Sequence, residues 1–119
     1  MTISPARQSG YLQALRERVL VYDGAMGTSI FDRNLSAADY GGESTHGCND
    51  YLVLTRPDVI SDIHRSFFAA GCDVVETCSF QASRLRLEEW GIGERTYEIN
   101  REAARLARAA ADEFEARDG

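Results

Sequence analysis

Two short apolar segments separated by a helical pattern constrain the fold of this chain more than any other feature of its sequence. The first, VLVY at residues 19–22, ends at Asp23 and is apolar on both faces, as in a buried parallel strand. The second, CDVVETCSF at residues 72–80, also lacks a clean polar face. A long helix between two strands predicts a parallel pair joined by a right-handed crossover. The sequence therefore predicts a βαβ unit and an α/β fold.

The segment between the two predicted strands has the pattern of an amphipathic helix. Thr55 supplies a capping hydroxyl, Pro57 suits the first turn, and Asp58 lies at the positive end of the helix dipole. Gly71 is the predicted stop. His64 falls beside the apolar stripe, and we interpret it as a packed or half-exposed histidine and not as a ligand. The stripe consists of Val59, Ile60, Ile63, Phe67 and Phe68.

Helical patterns also occur at both ends of the chain. Residues 4–17, with Ser4 as the N-cap, predict a helix that caps one end of the core through Tyr11, Leu12 and Leu15. Near the other end, residues 84–90 predict a short helix that ends at Gly91, and residues 94–116 predict a long amphipathic one. The apolar stripe of the long helix comprises Ile99, Ala103, Leu106, Ala107, Ala110 and Phe114, and its opposite face is charged.

Two connections need separate interpretation. Asp23-Gly24 is a strong hairpin signal, but the following AMGTSIFDRN does not alternate, so we favour a strand followed by a loop. Residues 32–54 are rich in Gly, Ser, Asn and Asp, with one possible helical turn at residues 36–40. A connection of this length inside a compact domain is usually functional, which makes it a candidate lid or binding loop.

The charge of the chain argues against nucleic acid and membranes as partners. The net charge is −6 and the arginines are interspersed with acids, so no basic stripe exists to neutralise phosphates. Apolar runs are too short to cross a bilayer, and MTISPARQSG lacks the apolar core of a signal peptide. All 13 basic residues are arginine, which excludes a Schiff-base or phosphate-loop lysine within this chain. We expect a cytoplasmic protein.

The three cysteines do not form an evident metal site. Cys72 and Cys78 lie at opposite ends of the second predicted strand, roughly 20 Å apart, which is too far for one tetrahedral zinc site. His46 and Cys48 could supply two ligands, although an isolated H-x-C in a Gly-rich loop is more often plain loop. An odd number of cysteines without an export signal argues against a disulfide framework.

Polar and small residues follow both predicted strands: Asp23-Gly24-Ala25-Met26-Gly27-Thr28 after the first, and Glu76-Thr77-Cys78-Ser79 at the second. In α/β proteins, ligands bind beyond the carboxyl ends of the strands. Backbone N–H groups beside glycines bind an anion, whereas a carboxylate attracts a cation. The pairing suits a zwitterionic α-amino acid better than a phosphate, which Asp23 would repel. The plainer alternative is that Asp23 caps a turn and the glycines only let the chain bend.

Four stretches resemble a known family: VLVYDGAMGTSI, GCNDYLVLTRPDVI, IHRSFFAAGCDVVETCSF and ASRLRLEEWG. They are similar to the N-terminal homocysteine-binding module of cobalamin-dependent methionine synthases, a branch of the homocysteine S-methyltransferase superfamily. The resemblance extends from about Tyr11 onward. It implies a (β/α)8 TIM barrel, of which this chain would be the N-terminal portion, with about two parallel strands plus helices. Residues 19–23 and 73–79 would be its first two strands.

The resemblance also implies a homocysteine site at the mouth of the barrel. Asp23 would lie near the substrate ammonium group, and the backbone amides of the turn at Gly24, Ala25 and Met26 would lie near its carboxylate. Glu76 and Ser79 would lie on the same rim. No residue of this chain is expected to be catalytic in itself.

The cofactors implied by the resemblance lie outside this chain. The family holds zinc through three cysteine thiolates, and Cys48, Cys72 and Cys78 do not match those positions. Cys78 falls where relatives often carry Asn, so it departs from the pattern. A free thiol has a pKa of about 8.5 and needs the metal for activation near neutral pH. Methylcobalamin and the folate that recharges it would occupy downstream modules.

The implied function is methyl transfer from methylcobalamin, recharged by 5-methyltetrahydrofolate, to homocysteine to give methionine. Residues 1–17 would be a helical extension, and residues 18–119 a partial homocysteine-binding domain that is inactive alone. Its partners would be homocysteine, the rest of the barrel, and the folate and cobalamin modules. Two alternatives are a standalone homocysteine or selenohomocysteine S-methyltransferase with another methyl donor, and a truncated remnant without catalysis.

Overall fold

Helices dominate the computed structural model, which describes residues 5–118 and the side chains of residues 10–117. Single 3-10 turns connect several of the helices. Among the described helices, none combines the length and apolar character that crossing a bilayer requires. In chain order the α-helices are α1 Pro5–Glu17, α2 Met26–Phe31, α3 Leu52–Thr55, α4 Pro57–Ala69, α5 Arg84–Glu88 and α6 Thr96–Asp118.

Helix α4 forms where the amphipathic pattern predicts it. Pro57 occupies its first turn, and Gly71, with φ of 108°, lies just past its end. The predicted cap is wrong, because the N-cap is Arg56, whose side chain does not cap the helix. Thr55 instead ends α3, and its hydroxyl donates to the backbone oxygen of Tyr51 at 3.4 Å. The Thr55 hydroxyl therefore bonds to the start of α3 and does not form the cap of α4 that the sequence predicts.

The core lies where α3, α4 and α6 pack together, with α2 against α4. The predicted stripe of α6 is confirmed: five of its six residues are buried, and the sixth, Phe114, stacks on Phe68 at 5.5 Å between ring centroids. His64 is fully buried in α4, as one of the two interpretations predicts. Other buried side chains are Ile30, Leu52, Val53, Val59, Ile60, Ile63 and Leu87.

The two predicted strands do not form within residues 5–118. Their segments run parallel and meet at one isolated bridge between Tyr22 and Val74. The N–H of Asp23 donates to the Val74 oxygen at 3.0 Å, and the N–H of Asp73 donates to the Val21 oxygen at 2.8 Å. A parallel pair needs neighbouring strands and covered faces. Here Val19 is 84% exposed and Val21 is 53% exposed, so this face of the first segment is uncovered. The backbone pairing of the two segments is therefore limited to the region of the single bridge.

The expectation that the first helix caps the core is also wrong. Helix α1 forms over Pro5–Glu17, but Tyr11, Leu12 and Leu15 are 42%, 47% and 45% exposed. Tyr11 lines a cavity together with Phe68 and Ala107, and its hydroxyl shares a hydrogen bond with that of the exposed Tyr22. All three side chains nevertheless stay exposed, and none joins the buried core. The predicted N-cap, Ser4, lies outside the described residues.

The long connection at residues 32–54 is ordered by a series of short turns. The predicted helical turn is confirmed as a 3-10 turn, Ala37–Tyr40, where Ser36 and Asp39 form a capping box. Arg56 pairs with the Asp39 carboxylate and so joins this turn to the start of α4. Further 3-10 turns, Glu43–Thr45 and Asn49–Tyr51, lead into α3. The chain thereby returns over the ends of the two bridged segments.

Candidate functional site

One cavity of about 510 Å³ opens where the two bridged segments end. All six predicted site residues line it: Asp23, Gly24, Ala25, Met26, Glu76 and Ser79. The connection at residues 32–54 supplies another wall. The other lining residues are Gly27, Gly47, Cys48, Asn49, Asp50, Thr77, Cys78, Phe80, Gln81 and Trp90.

Asp23 is half-buried in the wall of the cavity. Each of its carboxylate oxygens accepts from the backbone N–H of Glu76 at 3.2 Å. Burial raises the pKa of Asp23, and the hydrogen bond from the Glu76 amide opposes that shift. The carboxylate therefore ties the two segments together and lines the cavity as a partly desolvated acceptor.

The turn at Gly24, Ala25 and Met26 leads from the first segment into α2. Among the described residues, the backbone N–H groups of these three have no protein acceptor. A Cβ at Gly24 would lie 3.3 Å from Cε1 of Phe67, so glycine lets this turn lie close against α4. The turn thus presents backbone donors beside the Asp23 carboxylate.

Glu76 and Ser79 line the cavity from the end of the second segment. Glu76 is exposed, and its backbone N–H is the group that binds Asp23. The half-buried Ser79 shares a hydrogen bond with the Thr77 hydroxyl. The structure therefore brings these two residues to the same rim as the glycine turn.

The wall from the long connection carries residues that the sequence analysis grouped only as a binding loop. Asn49 is half-buried, and its Oδ1 accepts from the Tyr40 hydroxyl at 2.9 Å. Asp50 is only 8% exposed, and burial raises its pKa. The GCND stretch was part of the family resemblance, but no local pattern reveals which of its side chains reach the cavity.

Three carboxyl groups line the cavity, from Asp23, Asp50 and Glu76. No arginine or histidine is among its described lining residues. The field inside the cavity therefore favours a cationic group on a ligand. Among the described lining residues, neutral N–H and O–H groups are the donors open to an anionic group of the same ligand.

Two cysteines, Cys48 and Cys78, form part of the cavity floor. Burial raises the pKa of both thiols, to about 12 for Cys78, and the nearby Asp50 carboxyl adds to each shift. The Cys78 thiol donates to the backbone oxygen of Asn49 at 3.7 Å. Two thiols do not make a zinc site by themselves, because such a site needs three or four protein ligands. No cluster of three potential ligands occurs in the described part of the chain.

The remaining candidate ligand, His46, lies in the same connection as Cys48. Its ring packs against Tyr40, with 5.3 Å between ring centroids. The His46 ring therefore has an aromatic neighbour within the same connection.

The family of the chain follows from comparison with known proteins. The sequence profile described as homocysteine S-methyltransferase matches residues 20–118. Methionine synthase from Mycobacterium leprae is 39% identical over 118 residues, which cover 96% of this chain and 10% of that protein. Methionine synthase from Mycobacterium tuberculosis is 41% identical over 103 residues, covering 87% of this chain and 8% of that protein. The chain thus spans about a tenth of these relatives, and it belongs to the homocysteine S-methyltransferase family.

Proposed function

We propose that this chain forms part of the homocysteine-binding site of a methionine synthase. The observation that most supports it is the convergence of six predicted residues on one cavity of about 510 Å³. A cavity of this size accommodates a small amino acid. The family match over residues 20–118 supports homocysteine as that amino acid.

In this proposal the cavity binds the two charged groups of homocysteine separately. The Asp23 carboxylate accepts from the substrate ammonium group, and Asp50 and Glu76 add to the negative field. The backbone N–H groups of Gly24, Ala25 and Met26 donate to the substrate carboxylate. Ser79 contributes a hydroxyl to the rim. The chain orients the amino acid, and residues beyond this chain act on its sulfur.

The activation of the sulfur requires residues beyond this chain. Methyl transfer needs a thiolate, and a bound zinc ion supplies the necessary lowering of the thiol pKa. We propose that later parts of the barrel hold the zinc and that separate modules bind methylcobalamin and folate. The division into an extension at residues 1–17 and a partial barrel domain at residues 18–119 belongs to the same proposal, as does inactivity of the chain alone.

A cytoplasmic location is part of the proposal, because a reducing compartment keeps the substrate thiol free. The absence of nucleic-acid partners stays a prediction from the charge pattern, with a net charge of −6.

The test uses the full-length protein that contains these residues and two cut-down ligands. Removing the amine from homocysteine gives 4-mercaptobutanoate, and removing the carboxylate gives 3-aminopropanethiol. Calorimetry should show that Asp23→Asn weakens binding of homocysteine and of 3-aminopropanethiol by about tenfold or more, since a charged hydrogen bond is lost. Binding of 4-mercaptobutanoate should not weaken, because the substitution removes a charge that repels its carboxylate, and the zinc content should not change.

Asp32→Asn is the matched control, because Asp32 is exposed and outside the cavity. It should leave all three affinities unchanged. Equal loss of 4-mercaptobutanoate binding in Asp23→Asn would remove Asp23 from the ammonium site. Failure of the wild-type protein to bind homocysteine would reject the proposal as a whole.

The methyl donor separates the proposed function from its alternatives. Methionine formation from methylcobalamin supports a methionine synthase. Formation only from another S-methyl donor supports a standalone S-methyltransferase. Homocysteine binding without turnover by any donor supports a remnant without catalysis.

A further inference from the structure

We propose that Asn49 determines specificity for the α-carboxylate of the bound amino acid, by donating to it from its side-chain amide. The inference rests on the proposed function, because it deepens the assignment of the same cavity. It adds a side-chain donor from the long connection to the backbone donors of the Gly24 turn.

The orientation of the Asn49 amide follows from its hydrogen bonds. Its Oδ1 accepts from the Tyr40 hydroxyl at 2.9 Å, so its Nδ2 group points to the other side. Within the described part of the chain, Nδ2 has no acceptor. An amide with one end bound and the other end open to a cavity is available to a ligand.

The open end of the Asn49 amide lies beside the glycine turn. A Cβ built on Gly27 would be 4.0 Å from the Nδ2 atom. Gly27 directly follows Met26, the last of the residues assigned to the substrate carboxylate. A carboxylate at that turn has two oxygens with several acceptor sites, so it can accept from backbone and side-chain donors together.

Neighbouring contacts hold Asn49 in this position. Tyr40 is only 7% exposed, and its backbone oxygen accepts from the Thr45 hydroxyl at 2.6 Å. The backbone oxygen of Asn49 accepts from the Cys78 thiol at 3.7 Å. The side chain is therefore positioned before a ligand arrives, which reduces the entropy lost on binding.

The negative charge of the cavity makes the neutral Asn49 amide important for binding a carboxylate. Asp23, Asp50 and Glu76 all oppose the entry of a carboxylate, and the described lining contains no arginine or histidine to offset them. Within the described lining, neutral groups such as backbone and amide N–H are therefore what this chain offers the anionic end. Among the half-buried lining side chains, the amide of Asn49 supplies two such hydrogens.

The experiment compares ligands with and without a carboxylate on the full-length protein. Asn49→Ala should weaken binding of homocysteine and 4-mercaptobutanoate by about 10- to 100-fold in calorimetry, the usual effect of losing a hydrogen bond to a charged group. Binding of 3-aminopropanethiol should change by less than about twofold, since that ligand has nothing for the amide to bind. Tyr40→Phe should give a smaller loss with the same ligand selectivity, because the amide then loses only its orientation.

Asn49→Asp provides the sharpest contrast. It should weaken both carboxylate ligands more than Asn49→Ala does, and should not weaken 3-aminopropanethiol, because a new negative charge repels only the anionic end. Asn34→Asp is the matched control, since the exposed Asn34 lies outside the cavity. It should leave every affinity unchanged.

The outcomes separate this inference from the proposed function. Wild-type protein that does not bind homocysteine rejects the proposed function. Wild-type protein that binds homocysteine, with Asn49 variants that bind it equally well, rejects only the role of Asn49. Equal losses for all three ligands in Asn49→Ala and Tyr40→Phe would also reject it, because that result indicates a purely structural role.

Discussion

The backbone N–H of Glu76 lies 3.2 Å from both carboxylate oxygens of Asp23, a residue 53 positions earlier in the chain. This shared hydrogen bond joins the ends of two segments that otherwise pair at a single bridge. The same carboxylate therefore stabilises the cavity wall and, in the proposed function, binds the substrate ammonium group. Its structural role and its binding role can be separated by substitution.

Asp23→Ala should destabilise the chain more than Asp23→Asn. Alanine removes the acceptor for the Glu76 N–H, at a cost of about 0.5 to 1.5 kcal/mol, whereas asparagine retains one acceptor oxygen. Asparagine also removes a charge that burial disfavours, since the pKa of Asp23 is raised. Urea denaturation at pH 7 measures the free energy of unfolding of the two variants. An alanine variant as stable as the asparagine variant would show that the Glu76 bond contributes nothing.

The sequence predicts the long helices well because their information is local. Apolar residues at helical spacing define the buried face of α6, and Pro57 and Gly71 mark the ends of α4. The two strands fail for the opposite reason: a parallel pair depends on neighbours that a local pattern does not contain. Val19, at 84% exposure, has an apolar sequence and no covering partner in the described structure.

The residues of the candidate site divide in the same way, into those that a local sequence pattern predicts and those that it does not. Asp23 and the following glycines are recognisable because an acid and bare backbone at the end of an apolar run form a local pattern. Asn49 and Asp50 are not recognisable from a local pattern, because they reach the cavity only through the successive turns of the connection at residues 32–54. The sequence identifies that connection as a candidate binding loop but does not show which side chains face inward.

Gly41→Ala should be more destabilising than Gly91→Ala. Both glycines have positive φ, 88° and 76°, which costs an L-residue about 1 to 2 kcal/mol. At Gly41 the added Cβ would also lie 3.0 Å from Cε2 of Tyr51, whereas at Gly91 it meets open space. The steric contact should add about 1 kcal/mol or more. Equal free energies of unfolding in urea would show that Tyr51 moves aside without cost.

His64→Leu should stabilise the chain and remove part of its acid sensitivity. His64 is fully buried, and neither ring nitrogen has a partner in the described part of the chain. Replacing an unpaired buried polar group with an apolar one of similar size should gain about 1 to 3 kcal/mol. The gain should be measurable in urea at pH 8.

The pH dependence of the His64 variant has a defined sign. Burial lowers the pKa of His64 below its ordinary value of 6.5, so the unfolded chain binds a proton first as the pH falls. Stability contributed by this site is therefore present above pH 6.5 and is lost on acidification, by at most about 1.4 kcal/mol per pH unit. Unfolding measured from pH 8 to pH 5 should show a smaller loss in His64→Leu. An equal loss of stability in the wild-type protein and in His64→Leu over this pH range would contradict the lowered pKa of His64.

Cys72 should react with iodoacetamide at least about tenfold faster than Cys48 and Cys78 in the native chain at pH 8, since burial opposes both access and ionisation. The thiols of Cys48 and Cys78 are buried, whereas Cys72 is partly exposed. With a pKa of about 12, Cys78 is four units above the assay pH, so only about one molecule in 10,000 carries its thiolate. Peptide mapping by mass spectrometry gives the rate at each site, and concentrated urea should make the three rates similar. Rapid native labelling of Cys78 would show that the cavity floor opens easily.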